Sequence, residues 1–97
     1  MRLDGVRVLD LTRLLPGGYT TQLLAEMGAD VVKVEDPRVG DYARKQPPTT
    51  AEDVGALFTS VNRGKRSVVL DLKTAADKEI LYRLVETADV FFEGFRP

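Results

Sequence analysis

The chain alternates strand, helix and strand within its first 35 residues, and this order constrains the fold more than any other feature. Residues 6–11 (VRVLDL) are a short, β-branched apolar run, which is typical of a buried strand. A Pro-Gly-Gly turn at 16–18 leads into helical spacing over 19–28, and residues 30–35 (DVVKVE) form a second strand-like run. This length and order predict one βαβ unit, with parallel strands and a right-handed crossover.

The helix between these strands is predicted to bury an apolar stripe. The stripe is made by Leu23, Leu24 and Met27, which lie within one turn of one another. The neighbouring Gln22 and the threonines are predicted to face elsewhere. Gly28 stands at the position that commonly ends a helix, so the second strand is expected to begin directly after it.

The second half of the chain repeats the same order of elements. Residues 67–72 (SVVLDL) predict a third strand and residues 89–92 (DVFF) a fourth. Between them, Thr74 and Asp77 have the spacing of a capping box, which opens a helix. The apolar stripe of this helix comprises Ile80, Leu81, Leu84, Val85 and Ala88. The predicted fold class is therefore α/β, with a parallel sheet of about four strands and two crossover helices.

The two halves are joined by a segment of different character. Residues 36–57 hold five prolines and glycines, which break regular structure, among mixed charges and with no apolar period. A connection this long predicts either a functional loop or an excursion that packs weakly on the surface, and the residues leave both open. Residues 58–61 (FTSV) are predicted to form a short helical turn before the third strand.

Composition excludes several kinds of chemistry. The chain has no histidine and no cysteine, so these residues supply no Ser-His-Asp triad, cysteine nucleophile, disulfide, or imidazole or thiolate metal ligand. The formal net charge is -1, which disfavours nucleic acid and anionic membranes as partners. No apolar run reaches the roughly 18 residues of a membrane span, and residues 1–5 lack the start of a secretory signal. We therefore expect a cytoplasmic protein with no metal site.

Ligand-binding groups are expected at the carboxyl ends of the parallel strands. The first such turn, residues 14–18, has two glycines without the G-x-G-x-x-G spacing of dinucleotide-binding folds. Glu35 ends the second strand, where a ribose-binding acid stands in those folds, but one acid alone does not make that site. The sequence therefore disfavours a nicotinamide-dependent oxidoreductase.

Two groups of cations are candidates for binding an anionic ligand. Arg63, Lys65 and Arg66 surround Gly64, and they predict either a phosphate-binding loop or a solvated run of charge. Lys73 follows the third strand, at the end where ligand groups are expected. A cation beside a helix N-terminus opposes the helix dipole, so its position favours a function.

None of the carboxylates that flank strands and loops has a partner at a helical spacing that would fix two acids together for acid/base chemistry. Most of them are predicted to be turn and cap residues. These carboxylates are Asp10, Asp30, Glu35, Asp36, Asp41, Asp71, Asp89 and Glu93.

Four segments in this order resemble the family III CoA-transferases, which include formyl-CoA:oxalate CoA-transferase, the carnitine CoA-transferases and α-methylacyl-CoA racemase. The segments are residues 3–12 (LDGVRVLDLT) with Pro16-Gly17 after them, 23–35 (LLAEMGADVVKVE), 62–73 (NRGKRSVVLDLK) and 88–97 (ADVFFEGFRP). The resemblance runs almost from end to end and is weakest over residues 41–57.

The resemblance implies a Rossmann-like domain that binds coenzyme A, in an enzyme that forms an interlocked homodimer. Family members are several times longer than this chain, so residues 1–97 are expected to be the N-terminal part of that domain. The transferases use an aspartate nucleophile and the racemases a His/Asp pair, both beyond the matched region. The chain alone is therefore expected to be inactive, with acyl-CoA and a carboxylic acid as the substrates of the whole enzyme and no covalently bound cofactor. A racemase segment and a truncated, non-catalytic fragment remain as alternatives.

The resemblance also implies which residues contact coenzyme A. Lys73 is the expected polar contact, and Arg38 takes the place of an arginine that the family often has at the position of Asp36. Gly18 and Gly94 differ from the family's usual Pro and Asn. The implied contacts are Leu15, Pro16, Arg38, Leu70, Asp71, Leu72, Lys73, Gly94, Phe95 and Arg96.

Overall fold

The computed structural model describes residues 3–13, 16–38, 40–44, 47–49 and 55–94. Its centre is a parallel four-stranded sheet with the strand order β3-β2-β1-β4. The strands are β1 (Arg7–Asp10), β2 (Asp30–Glu35), β3 (Arg66–Val69) and β4 (Val90–Phe92). This order and the parallel pairing confirm the predicted α/β class, and they match one half of a Rossmann-type sheet.

Three helices connect the strands: α1 (Gly17–Glu26), α2 (Ala56–Val61) and α3 (Ala75–Thr87). The Thr74 side chain accepts a hydrogen bond from the backbone N–H of Asp77, so the predicted cap of α3 is confirmed. Gly28 follows α1 with a φ of 103°, as the predicted helix end requires. None of the three, within the described residues, is long and apolar enough to cross a membrane.

The two faces of the sheet carry different cores. On one face Leu9, Val32 and their neighbours pack against α3 through Leu81, Leu84 and Ala88. Ile80 and Val85 stay largely exposed, so the predicted stripe of α3 is only partly buried. The other face is apolar at one end, where α1 packs on it through Leu24.

Helix α1 follows its predicted orientation only in part, because Leu24 packs on the sheet as expected. Its buried residues are Gly18, Thr21 and Gln22, whereas Leu23 is exposed. The reason lies in the sheet beneath, because the strand residues facing this part of α1 include the buried carboxylate of Asp10. The Thr21 hydroxyl donates to Asp10 Oδ2 at 2.6 Å, a contact that an apolar side chain could not make.

The third strand is shorter than predicted. It ends at Val69, and residues 70–74 turn into α3 through a hydrogen bond from the Thr74 backbone N–H to the Asp71 carbonyl. Part of the long connection after β2 is also ordered and buried: Asp41 and Ala43 are inaccessible, and Tyr42–Arg44 is a short 3₁₀ helix. The weakly packed alternative is therefore wrong for residues 40–44.

Candidate functional site

A pocket of about 190 Å³ opens at the carboxyl ends of β1, β2 and β3. Its apolar lining comes from residues that end or follow the strands, and its rim carries three cations. The lining residues are Leu11, Arg13, Val34, Glu35, Asp36, Arg38, Leu70, Leu72 and Lys73. Apolar walls beneath a few charged groups are the usual make-up of a small-molecule site, and this edge of an open parallel sheet is its usual place.

Arg38 stands at the rim between two carboxylates. Its Nη2 donates to Asp36 Oδ2 at 2.8 Å, and its Nη1 donates to Asp71 Oδ2 at 3.1 Å. The Arg38 side chain is 48% exposed, so it remains accessible to a ligand from solvent. The hydrogen bond from the Lys73 backbone N–H, followed by those from Arg38, lowers the pKa of Asp71, which is therefore charged at neutral pH.

Lys73 is positioned by the turn that carries it. Its backbone N–H donates to Asp71 Oδ1 at 3.0 Å, while the Asp71 backbone N–H donates to Asp77 Oδ2 at 2.7 Å. Asp77 is in turn the first-turn acid of α3. These bonds fix residues 71–77 as one unit and place Lys73 on the pocket wall.

The structure brings together only some of the residues implied by the resemblance. Arg38, Leu70, Leu72 and Lys73 line one pocket, and Asp71 bonds to its rim. Pro16 precedes α1, and Gly94 follows β4 on the far side of β1, so both lie outside this lining. The remaining three implied contacts, Leu15, Phe95 and Arg96, lie outside the described residues.

Sequence reasoning missed three residues of the lining: Leu11, Arg13 and Val34. Leu11 and Arg13 follow β1 directly, and Val34 is the last but one residue of β2. Their position at strand ends was the available signal, because carboxyl ends of neighbouring parallel strands meet at one edge.

Glu35 is not available as a ribose-binding acid. Arg44 donates to both of its carboxylate oxygens at 2.7 Å, and Ser67 Oγ donates to Oε2 at 2.6 Å. The hydrogen bonds from Arg44 lower the pKa of Glu35 to about 2. The acid at the end of β2 therefore anchors the connection that follows β2.

The basic residues at 63–66 do not form one site. Arg63 is exposed, with its Nη2 3.4 Å from Glu26 Oε1, and Arg66 pairs with Asp30 at 2.7 Å at the start of its strand. These two side chains bond to different carboxylates. The prediction of a shared phosphate-binding loop is therefore wrong.

Lys65 contradicts the solvated alternative as well, since only 2% of its side chain is exposed. Its ammonium bonds to Asp10 Oδ2 at 3.2 Å, Asn62 Oδ1 at 2.7 Å and the Gly18 carbonyl at 3.2 Å. Burial lowers the pKa of Lys65. Asp10 and Asp41, predicted to be turn or cap residues, are instead members of buried ion pairs, although each also accepts a local backbone hydrogen bond.

The described residues hold no group of three or more His, Cys, Asp or Glu side chains that could bind a metal ion. What the pocket offers is binding chemistry: an apolar floor for a flat ring, and guanidinium and ammonium groups for phosphate.

Residues 3–97 match the sequence family described as CoA-transferase family III. The chain is 56% identical to succinyl-CoA:mesaconate CoA-transferase of Haloarcula hispanica, over 97% of this chain and 24% of that protein. It is 48% identical to formyl-CoA:oxalate CoA-transferase of Rhodopseudomonas palustris, over 98% of this chain and 22% of that protein. A crystal structure of a CaiB/BaiF family protein from Brucella suis has a TM-score of 0.88 at 44% identity, covering 96% of this chain and 25% of that chain. The chain thus spans about a quarter of the length of these relatives.

Proposed function

Because the chain belongs to CoA-transferase family III, we propose that its pocket binds the nucleotide end of coenzyme A, in an enzyme that moves coenzyme A between carboxylic acids. The proposed substrates are an acyl-CoA and an acceptor carboxylate. Residues 1–97 are then the N-terminal part of the CoA-binding domain. The names of the relatives favour CoA transfer over racemisation. An interlocked homodimer in the cytoplasm is part of the same proposal and follows from the family resemblance.

The observation that carries the proposal is the position of Arg38 and Lys73 at the rim of an apolar pocket. The adenine ring of coenzyme A is flat and apolar on its faces, and the phosphate on its ribose and the pyrophosphate carry negative charge. Leu70 and Leu72 supply apolar surface for the ring, while the two cations face the phosphates. A charged hydrogen bond to phosphate contributes roughly 1.5–3 kcal/mol.

The chain's own part in the reaction is to bind and orient the thioester's carrier. With the nucleotide held at the ends of β2 and β3, the pantetheine arm is free to extend along the sheet edge toward β1 and β4. Pro16 and Gly94, and the undescribed Leu15, Phe95 and Arg96, are proposed as contacts further along that arm. The nucleophilic aspartate comes from outside residues 1–97, so this chain positions the thioester without attacking it.

The proposal is tested by titrating coenzyme A calorimetrically into the full-length protein and its Lys73→Ala variant. We expect Lys73→Ala to weaken binding about tenfold or more, because 1.4 kcal/mol corresponds to a factor of ten. Lys78→Ala is the matched control, since Lys78 is an exposed lysine of α3, the helix that follows Lys73, and lies outside the pocket lining. Equal affinity for Lys73→Ala and the parent would overturn the site assignment.

A further inference from the structure

We propose that two buried lysines, Lys33 and Lys65, are positioning residues for coenzyme A binding, because they hold Thr12 and Gly18, the described residues at either end of the turn between β1 and α1. The inference rests on the proposed function and adds to it, because neither lysine lines the pocket. Their ammonium groups bond to backbone carbonyls at the two ends of the turn.

Lys33 holds the first end. Its Nζ donates to the Thr12 carbonyl at 2.9 Å and lies 2.8 Å from Asp41 Oδ2. The side chains of Lys33 and Asp41 are 2% and 1% exposed, so this is a fully buried ion pair. Asp41 also accepts a hydrogen bond from the Ala43 backbone N–H at 2.9 Å, which fixes the carboxylate that faces the lysine.

Lys65 holds the second end. Its Nζ donates to the Gly18 carbonyl in the first turn of α1, while Asp10 and Asn62 accept its other hydrogen bonds. Asp10 in turn accepts hydrogen bonds from the backbone N–H and the hydroxyl of Thr12. The same carboxylate therefore links the second lysine to the first end of the turn.

The turn between these anchors carries part of the candidate site. Arg13, which lines the pocket, directly follows the anchored Thr12. Pro16, one of the implied coenzyme A contacts, precedes the anchored Gly18 by two residues. A misplacement of about 1 Å can cost roughly a hundredfold in rate, so anchoring at both ends has a direct functional consequence.

Stability alone does not explain two buried lysines. Desolvating an ion pair is costly, and an uncharged, well-packed pair in its place is often as stable. An apolar pair could not, however, donate to the Thr12 and Gly18 carbonyls. Stabilisation by the ion pair and positioning of the turn can therefore be separated. One variant removes only the ion pair, and a second removes the hydrogen bond to the carbonyl as well.

The first test compares two variants of the full-length protein. Asp41→Asn breaks the ion pair but keeps Lys33 and its bond to Thr12, so coenzyme A affinity should stay within about twofold of the parent. Lys33→Met/Asp41→Asn removes the carbonyl bond as well, and affinity should fall about tenfold. A role confined to the ion pair would instead lower affinity at least as much in Asp41→Asn, which leaves the buried Lys33 charge without its carboxylate, as in the double variant.

The second test applies the same logic to Lys65→Met/Asp10→Asn, in which Asn keeps an oxygen for Thr12. Steady-state kinetics should show a raised KM for the acyl-CoA and an unchanged KM for the acceptor carboxylate. Arg66→Met is the control, because Arg66 pairs with Asp30 at the opposite end of the strands and has no contact with the turn in the described residues.

Unchanged affinity and KM in both folded double variants would overturn the inference while leaving the proposed function intact. Loss of folding in both, seen by circular dichroism, would overturn it too, because the lysines would then hold the sheet together instead of the turn. The proposed function has its own test, because it would be contradicted if Lys73→Ala bound coenzyme A with the affinity of the parent.

Discussion

Arg38 and Asp71 face each other across the mouth of the pocket and are joined by two hydrogen bonds. Arg38 Nη1 lies 3.1 Å from Oδ2 and Nη2 lies 3.3 Å from Oδ1. The two residues follow neighbouring strands, β2 and β3. The Arg38 guanidinium, which is proposed to bind a phosphate, is thus already paired with Asp36 and Asp71. A phosphate therefore has to compete with these carboxylates for its hydrogen bonds.

Removing this competition is predicted to tighten binding. Asp71→Asn removes the negative charge but keeps an oxygen for the Lys73 backbone N–H. Exposed ion pairs contribute roughly 0.2–1 kcal/mol, so coenzyme A affinity should rise by up to about fivefold. Calorimetry at low and high salt measures this, and the gain should shrink with salt because rim charges are screened. Glu86→Gln, an exposed acid of α3, should change nothing, and weaker binding by Asp71→Asn would contradict the prediction.

Glu35 is predicted to make the free energy of unfolding depend on pH in the acidic range. Hydrogen bonds from Arg44 lower its pKa from 4.5 to about 2 in the folded protein. Because the folded pKa lies below the unfolded one, the stabilisation is complete above about pH 5.5 and is lost as the pH falls toward 2. The pKa difference corresponds to roughly 3 kcal/mol of free energy of unfolding.

Glu35→Gln should therefore destabilise the protein by roughly 3 kcal/mol at pH 7, and by about half of that at pH 3. Urea unfolding at the two pH values measures the difference. Glu79→Gln serves as the control, because Glu79 is exposed and lies 3.8 Å from Arg83 on the surface of α3. A difference that stays constant with pH would show that the charge of Glu35 is not the cause.

Gly17→Ala is predicted to destabilise the start of α1. A Cβ at Gly17 would overlap the buried Thr12 side chain, which Asp10 holds in place. Overpacking of this kind costs about 1–3 kcal/mol, and thermal unfolding should show the loss. Gly94→Ala adds the same methyl group where nothing lies within 4 Å, so its melting temperature should match the parent's.

The strands were predictable where local chemistry decides them. β2 has the predicted bounds because its run is continuous and β-branched, and α3 begins at the predicted cap. The burial of Lys33 was not predictable from its strand alone. Its partner Asp41 comes from the connection after β2, and a charge is buried only when such a partner is present.

The site was predictable where the order of the strands decides which residues lie together. Arg38 and Lys73 line the same pocket because the carboxyl ends of adjacent parallel strands lie at one edge of the sheet. Sequence spacing could not show that Lys65 turns inward while Arg63 and Arg66 do not, because that choice depends on Asp10 and α1 lying beneath it. Gly94 lies away from the pocket because β4 continues the sheet beyond β1, whereas Pro16 stands at the start of α1.

The edge formed by β4 and α3 gives the sheet a gradient of local stability. β4 pairs with β1 over only three residues, and no residue of α3, all of which the structure describes, is fully buried. Amide hydrogens there should exchange through small local openings. Those of β2, which pairs with a strand on each side, should exchange only on global unfolding. A ligand that spans from Arg38, which follows β2, to Gly94, which follows β4, would join a slow-opening and a fast-opening part of the described chain. Part of its binding free energy would then be spent on ordering the β4 edge, which makes affinity sensitive to whatever else packs against that edge.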